Sequence, residues 1–235
     1  MKLGILKTGA PPPSAREKFG GYPDMFRKLL GETAFDYRIY AVDEGDWPAK
    51  VDICDAYLVT GSACGVYDPE PWIGELKAFL NQARGRTPLV GVCFGHQIMA
   101  EAFGGRATKS SKGWGLGAHT YALKSREPWM DGQGDEIRLP ASHQDQVSEL
   151  PPGAEVFAAS EFTPFGALAY RDQKAISIQL HPEFEPAYAV ALIESRRGTR
   201  YSEDEANLGI ASYSAPDDRA RVGGWIRNFL SGATV

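Results

Sequence analysis

The stretch from Pro88 to Phe103, PLVGVCFGHQIMAEAF, constrains this chain more than any other. It opens with Leu89-Val90-Gly91-Val92, a short apolar run that reads as a strand buried on both faces. Cys93 follows at once, with Gly91 and Gly95 two positions to either side. Beyond Gly95 the apolar residues Ile98, Met99, Ala102 and Phe103 recur at helical spacing. Strand, Gly-x-Cys-x-Gly, helix is the order of a nucleophile elbow. So tight a turn presses the positions flanking the nucleophile against neighbouring backbone, which is a reason for glycine at both. A thiol there sits at a helix N-terminus, where the macrodipole favours thiolate. The N–H of Phe94 opens the helix, lacks an acceptor within it, and can meet an oxyanion forming beside the sulfur. An outward-facing thiol of this kind is expected to add little to packing. The competing reading is an inert buried cysteine in a glycine-rich turn, and the elbow alone does not decide between them.

A second stretch decides. Ala175 to Leu180, AISIQL, alternates as a strand and ends in His181-Pro182-Glu183-Phe184. Residues two apart in extended chain project to the same side. Glu183 can therefore reach the His181 ring, set its tautomer and stabilise its charged form, the orienting role in a triad. A strand-end histidine beside a solvated glutamate would account for this stretch but leave the elbow unexplained.

GVCFGHQ followed far downstream by HPEF resembles the class I glutamine amidotransferase family, the type with a Cys-His-Glu triad. The resemblance runs from Leu3 to about Phe184 and is strongest towards the glutaminase portion of GMP synthases and stand-alone relatives, including plant-type γ-glutamyl peptidases. It implies a three-layer, flavodoxin-like α/β sandwich with a mostly parallel central sheet and a small antiparallel extension. It also implies Cys93, His181 and Glu183 as the catalytic residues, with no metal or organic cofactor. Phe94 supplies one oxyanion donor, and Gly61 or Ser62 the second. The family usually shows two glycines and a proline in that loop, and this chain departs from the pattern at Ser62 and Ala63. Ser142-His143-Gln144-Asp145-Gln146-Val147 resembles the family's Ser-His-x-Asp-x-Val segment, which holds the amino-acid end of the substrate. By that likeness Ser142, Asp145 and Gln97 contact substrate, and Asp145 suits its ammonium. His143 is a rival base, but only His181 has an acidic partner at the right spacing. His96 and His119 read as structural.

The rest of the chain is consistent with that frame. Strands are expected over Lys2–Thr8, Phe35–Val42 and Asp55–Thr60, and helices over Tyr22–Leu30 and Glu70–Arg84. Such alternation argues for a parallel sheet covered on both faces. Ala10 to Gly21, with three consecutive prolines, is expected to be a loop. Shorter strands at Gly113–Gly117, Thr120–Leu123, Glu136–Leu139, Val156–Ala159 and Leu168–Tyr170 would form the antiparallel part. The expected domain is residues 1–235, with a helical tail at about 185–235. Helices are anticipated over Pro186–Arg196, Tyr201–Leu208 and Asp217–Leu230. The last carries Val222, Trp225, Ile226, Phe229 and Leu230 as a stripe that should dock on the chain's own core.

With 235 residues, 43% of them apolar, the chain can bury one substantial core. A formal charge of −5 and the lack of any Lys/Arg run argue against a nucleic-acid partner. No apolar run reaches the roughly 18 residues of a membrane span, and the N-terminal apolar run is too short for a signal peptide. Cytoplasmic location is the default. Cys54, Cys64 and Cys93 form no CxxC pair, which speaks against structural zinc and suits a reducing compartment.

The expected chemistry is a two-step acyl transfer from glutamine or a γ-glutamyl compound through a Cys93 thioester. Three roles stay open. One is a stand-alone γ-glutamyl hydrolase. Another is a glutaminase subunit feeding ammonia to a separate synthase chain, since neither a P-loop nor a Ser-Gly-Gly pyrophosphate loop is present. The third is a catalytically silent binding module, which the intact Cys93, His181 and Glu183 oppose.

Overall fold

In a computed structural model that describes residues 1–234, β1 (Lys2–Lys7) leads through α1 (Pro13–Phe19) and α2 (Tyr22–Leu30) to β2 (Asp36–Ala41) and β3 (Ala56–Val59). Next come α3 (Pro71–Ala83), the elbow strand β4 (Leu89–Val92) and its helix α4 (Phe94–Ala102). A run of strands follows: β5 (Arg106–Lys109), β6 (Gly115–Leu123), β7 (Glu136–His143), β8 (Asp145–Glu149), β9 (Glu155–Ala159) and β10 (Ala167–Tyr170). The chain then returns through β11 (Ala175–Ile178) and finishes in α5 (Pro186–Glu194), α6 (Glu203–Ala211) and α7 (Arg219–Ser231).

The main sheet runs β2-β1-β3-β4-β11-β10-β9-β6-β7. From β2 to β11 all neighbours are parallel. With β11 counted as the fifth strand the order is 2-1-3-4-5, the flavodoxin-like arrangement. From β10 onward the pairing is antiparallel, so the extension continues the sheet edgewise instead of forming another layer. A separate ribbon pairs β5 with β8.

Strand periodicity explains the three layers. Leu3, Ile5, Leu58, Val90 and Val92 project to one face, where Phe26 and Leu30 of α2 and Val222, Trp225 and Ile226 of α7 cover them. Leu6, Tyr57, Val59 and Leu89 project to the other, against Leu76 and Leu80 of α3 and Ile98 and Met99 of α4. The C-terminal stripe is thus built into the core against α2, β4 and β7. Among the described residues no helix is long and apolar enough to cross a membrane.

Several local expectations are corrected. The stretch from Ala10 to Gly21 is not all loop. Pro13 starts α1, because proline's fixed φ suits the first helical turn and its missing N–H costs nothing there. The strands expected at Gly113–Gly117 and Thr120–Leu123 are one strand, β6, bent at Gly117 (φ +86°), where a side chain would collide with Gly209 of α6. β7 runs on through Pro140 to His143, which an edge strand allows because the absent N–H need not meet a neighbour. β5 and β8 have no local sequence signal, since their residues are mostly polar and their pairing joins segments far apart in the chain.

Candidate active site

Cys93 stands where β4 gives way to α4, with φ 54° and ψ −104°, a conformation that L residues rarely adopt. It is pinned on both sides: its N–H donates to the Ile178 carbonyl at 2.9 Å, and its carbonyl accepts from the Gln97 N–H at 3.1 Å. A Cβ on Gly91 would lie 2.4 Å from the Gly95 carbonyl oxygen, and one on Gly95 would lie 2.4 Å from that of Val59. The glycines are there because backbone fills the space a side chain would need. Cys93 is 5% exposed and belongs to the core, so the sequence-based picture of an outward-facing group that adds little to packing is wrong.

His181 is placed by the antiparallel extension. Its N–H donates to the carbonyl of Pro140 in β7 at 2.8 Å. Phe184 stacks face to face on the imidazole, centroids 3.9 Å apart and planes 7° off parallel. Nδ1 meets Glu183 Oε1 at 2.8 Å, and both side chains are buried. Burial by itself would discharge the ring. The interactions with the Cys93 sulfur and with Glu183 outweigh it and raise the His181 pKa to about 10. His96 and His143 lack such partners, and burial drops each to about 3. His96 is hydrogen-bonded to Ser177 at 2.8 Å and His143 faces the Asp145 carbonyl at 3.1 Å, so both are neutral braces. His119 is likewise pushed down by burial.

The loop after β3 lies against the same pair. A Cβ on Gly61 would be 3.2 Å from His181 Cε1 and 3.8 Å from Cys93 Cβ. The Thr8 hydroxyl at the end of β1 lies 3.1 Å from the carbonyl oxygens of Thr60 and of Gly61. The Gly95 N–H also reaches the Thr60 carbonyl, at 3.2 Å. Because C=O and N–H of a trans peptide point opposite ways, the N–H groups of Gly61 and Ser62 are turned away from Thr8. Thr8 carried no sequence signal; it acts only because β1 and β3 are neighbours.

Gln97 gives its amide protons to the Asp145 carbonyl at 2.8 Å and to Gln179 at 3.0 Å, which ties α4 to the start of β8. Ser142 accepts a hydrogen bond from Arg196 at 3.2 Å. Asp145 lines a cleft of about 370 Å³ together with Cys93, His181, Ser62, Gln97 and Ser142. Gly61 and Phe94 are not among the residues that line this space: Gly61 abuts His181, and Phe94 follows Cys93, its ring buried against Trp72. Cys64 also faces the cleft, whereas Cys54 is buried elsewhere in the core. The cleft further recruits Tyr22, Lys109, Trp114, Arg196 and Arg200, none marked by a motif. Burial lifts the Tyr22 phenol to about 12, with Tyr188 and Arg196 opposing the rise and Cys93 and Glu183 adding to it. Arg196 is thus felt at the same phenol as the Cys93 sulfur.

A flavodoxin-ordered sheet with a strained cysteine elbow at the C-terminal end of its central strand defines an α/β protein of the nucleophile-elbow type. More narrowly, the chain belongs to the class-I glutamine amidotransferase family, whose sequence profile matches residues 22–193. It is 26% identical to γ-glutamyl peptidase 3 of Arabidopsis thaliana, with 92% of this chain and 91% of that protein covered. It is 33% identical to the glutamine-hydrolysing GMP synthase of Thermus thermophilus over 69% of this chain, but only 32% of that protein is covered. The fold matches the crystal structure of a glutamine amidotransferase from Thermotoga maritima with a TM-score of 0.73. There the identity is 18%, and 98% of this chain and 96% of that one are covered.

Proposed function

We propose that the protein is a stand-alone hydrolase of γ-glutamyl amides, working through a Cys93 thioester. The observation that carries this reading is the strained elbow cysteine beside a buried, charged His181–Glu183 pair, at the base of an open cleft. Cys93 Sγ attacks the γ-carbonyl carbon, and the tetrahedral oxyanion is met by the N–H of Phe94 and that of Gly61 or Ser62. His181, held charged by Glu183, gives its proton to the leaving nitrogen as the C–N bond breaks and the amine departs. The neutral ring then takes a proton from water, whose hydroxide cleaves the thioester. Glutamate leaves, and Cys93 and His181 return to their starting charges. Asp145 faces the substrate ammonium, while Gln97 and Ser142 shape that wall of the cleft.

The GMP synthase likeness supports a second reading, a glutaminase subunit that passes ammonia to a separate synthase chain. Glutamate release by the purified protein separates the two, with glutamine compared against γ-glutamyl dipeptides and glutathione conjugates by kcat/KM. Independent hydrolysis predicts that a larger γ-glutamyl amide wins. A tenfold or greater preference for glutamine, or activity that appears only when a copurifying protein is added, supports the subunit reading.

A further inference from the structure

The turn after α5 brings two arginines to the cleft, and no carboxylate among the described residues pairs with either. Arg196 and Arg200 both line it, one turn apart, with the Arg200 N–H on the Arg196 carbonyl at 2.9 Å. The carboxylates nearby are taken by the arginine between them: Arg197 pairs with Glu194 at 2.6 Å and with Glu203 at 2.7 Å. Arg196 is steered by neutral groups, Ser142 Oγ at 3.2 Å and the Tyr201 hydroxyl at 3.4 Å. Arg200 lies over the Trp114 ring, 5.7 Å from its centroid, and Trp114 is itself set edge-on against Tyr201 at 5.3 Å. These contacts aim the guanidinium groups without cancelling their charge. Like charges a turn apart repel, and a guanidinium fork matches a carboxylate. Both residues follow position 193, where the family match ends, so family membership alone does not predict them.

A γ-glutamyl head carries one ammonium and one α-carboxylate. Asp145 suits the first. Arg196, bonded to Ser142 on the same wall, suits the second. That leaves Arg200, the more exposed of the two arginines in the cleft lining, for the part of the substrate beyond the γ-glutamyl head. We infer that the leaving amine itself bears a carboxylate, so that the substrate is a γ-glutamyl amino acid or peptide whose anionic end rests on Arg200. The inference rests on the γ-glutamyl hydrolase reading above and narrows it to an anionic leaving group.

The test compares γ-glutamylglycine with γ-glutamylethylamide, which lacks the second carboxylate. The wild type should prefer γ-glutamylglycine by about tenfold or more in kcat/KM. Arg200→Ala should lower kcat/KM for γ-glutamylglycine about ten- to hundredfold, as expected for a lost charged hydrogen bond, and for the ethylamide less than about threefold. Arg200→Lys should restore part of the preference. Equal use of the two substrates by the wild type, or an equal loss with both in Arg200→Ala, overturns the inference. Calorimetric binding of both compounds to Cys93→Ala gives a readout independent of turnover. If neither compound is hydrolysed, yet γ-glutamylglycine binds about tenfold more tightly in an Arg200-dependent way, the anion subsite stands and the hydrolase reading falls. Absence of that binding preference overturns the subsite.

Discussion

Replacing Gly95 by alanine tests the elbow directly. The added Cβ would lie 2.4 Å from the Val59 carbonyl oxygen and 3.0 Å from the Val59 carbonyl carbon and Cβ. An unstrained carbon–oxygen contact sits at about 3.3 Å or more, so something must move by ~0.9 Å. The obstacle is backbone of β3 in the middle of the sheet and cannot swing aside as a side-chain tip would. The start of α4 must therefore lift, and it is tied to the site twice, through Cys93 and through the Gly95–Thr60 hydrogen bond. Overpacking of this kind costs about 1–3 kcal/mol. In a chain this long that corresponds to a fall in Tm of roughly 2–12 °C. Displacing the proposed nucleophile by about 1 Å relative to the proposed oxyanion donors would cost on the order of 10²-fold in rate. The assay pairs thermal denaturation with kcat/KM for glutamate release from a γ-glutamyl dipeptide. Gly74→Ala in α3 is the control, since a Cβ there meets nothing within 4 Å and alanine favours helix by up to about 1 kcal/mol. If Gly95→Ala behaves like Gly74→Ala in both measurements, the account of why glycine flanks Cys93 is refuted.

Cys93→Ala should abolish glutamate release, because no other thiol occupies the elbow; activity above a trace would reassign the nucleophile. Glu183→Gln should cut the rate about 10²–10⁴-fold and move the alkaline limb of kcat/KM to lower pH, because His181 loses one of the charges holding it near 10. A limb that stays in place would remove Glu183 from that role. The same raised pKa makes the charged ring's contribution to stability full below the unfolded value of about 6.5 and lost as pH rises through about 10. Wild-type Tm should therefore fall between pH 7 and 10 more steeply than that of Glu183→Gln, a difference that parallel melting curves would reveal or rule out. Trp225→Ala should destabilise the whole protein by about 3–5 kcal/mol, since the indole is buried in the core that also holds Leu3 and Val90. A loss below about 1 kcal/mol in denaturant titration would show that α7 is an appendage.

What could be read from the chain alone was chemistry carried by neighbours in sequence. Gly91, Cys93 and Gly95 specify a turn because all three act within five residues, and His181 and Glu183 share a side because extended backbone repeats every two. The continuous apolar run Leu89–Val92 likewise announced a strand buried on both faces. Tertiary structure decided whatever depends on residues far apart in the chain. Parallel order brings Thr8 to the carbonyls of Thr60 and Gly61, and β7 offers the Pro140 carbonyl to His181. It also turned the polar segments Arg106–Lys109 and Asp145–Glu149 into a ribbon that no local pattern foretold. The tail shows the division most clearly. The apolar stripe of α7 was legible because burial imposes helical periodicity, but the placing of Arg196 and Arg200 was not. A charged side chain on a turn looks the same in sequence whether it meets solvent or a cleft, and only the packing of α6 on β6 and of α5 on α1 and α6 brings this pair to the site.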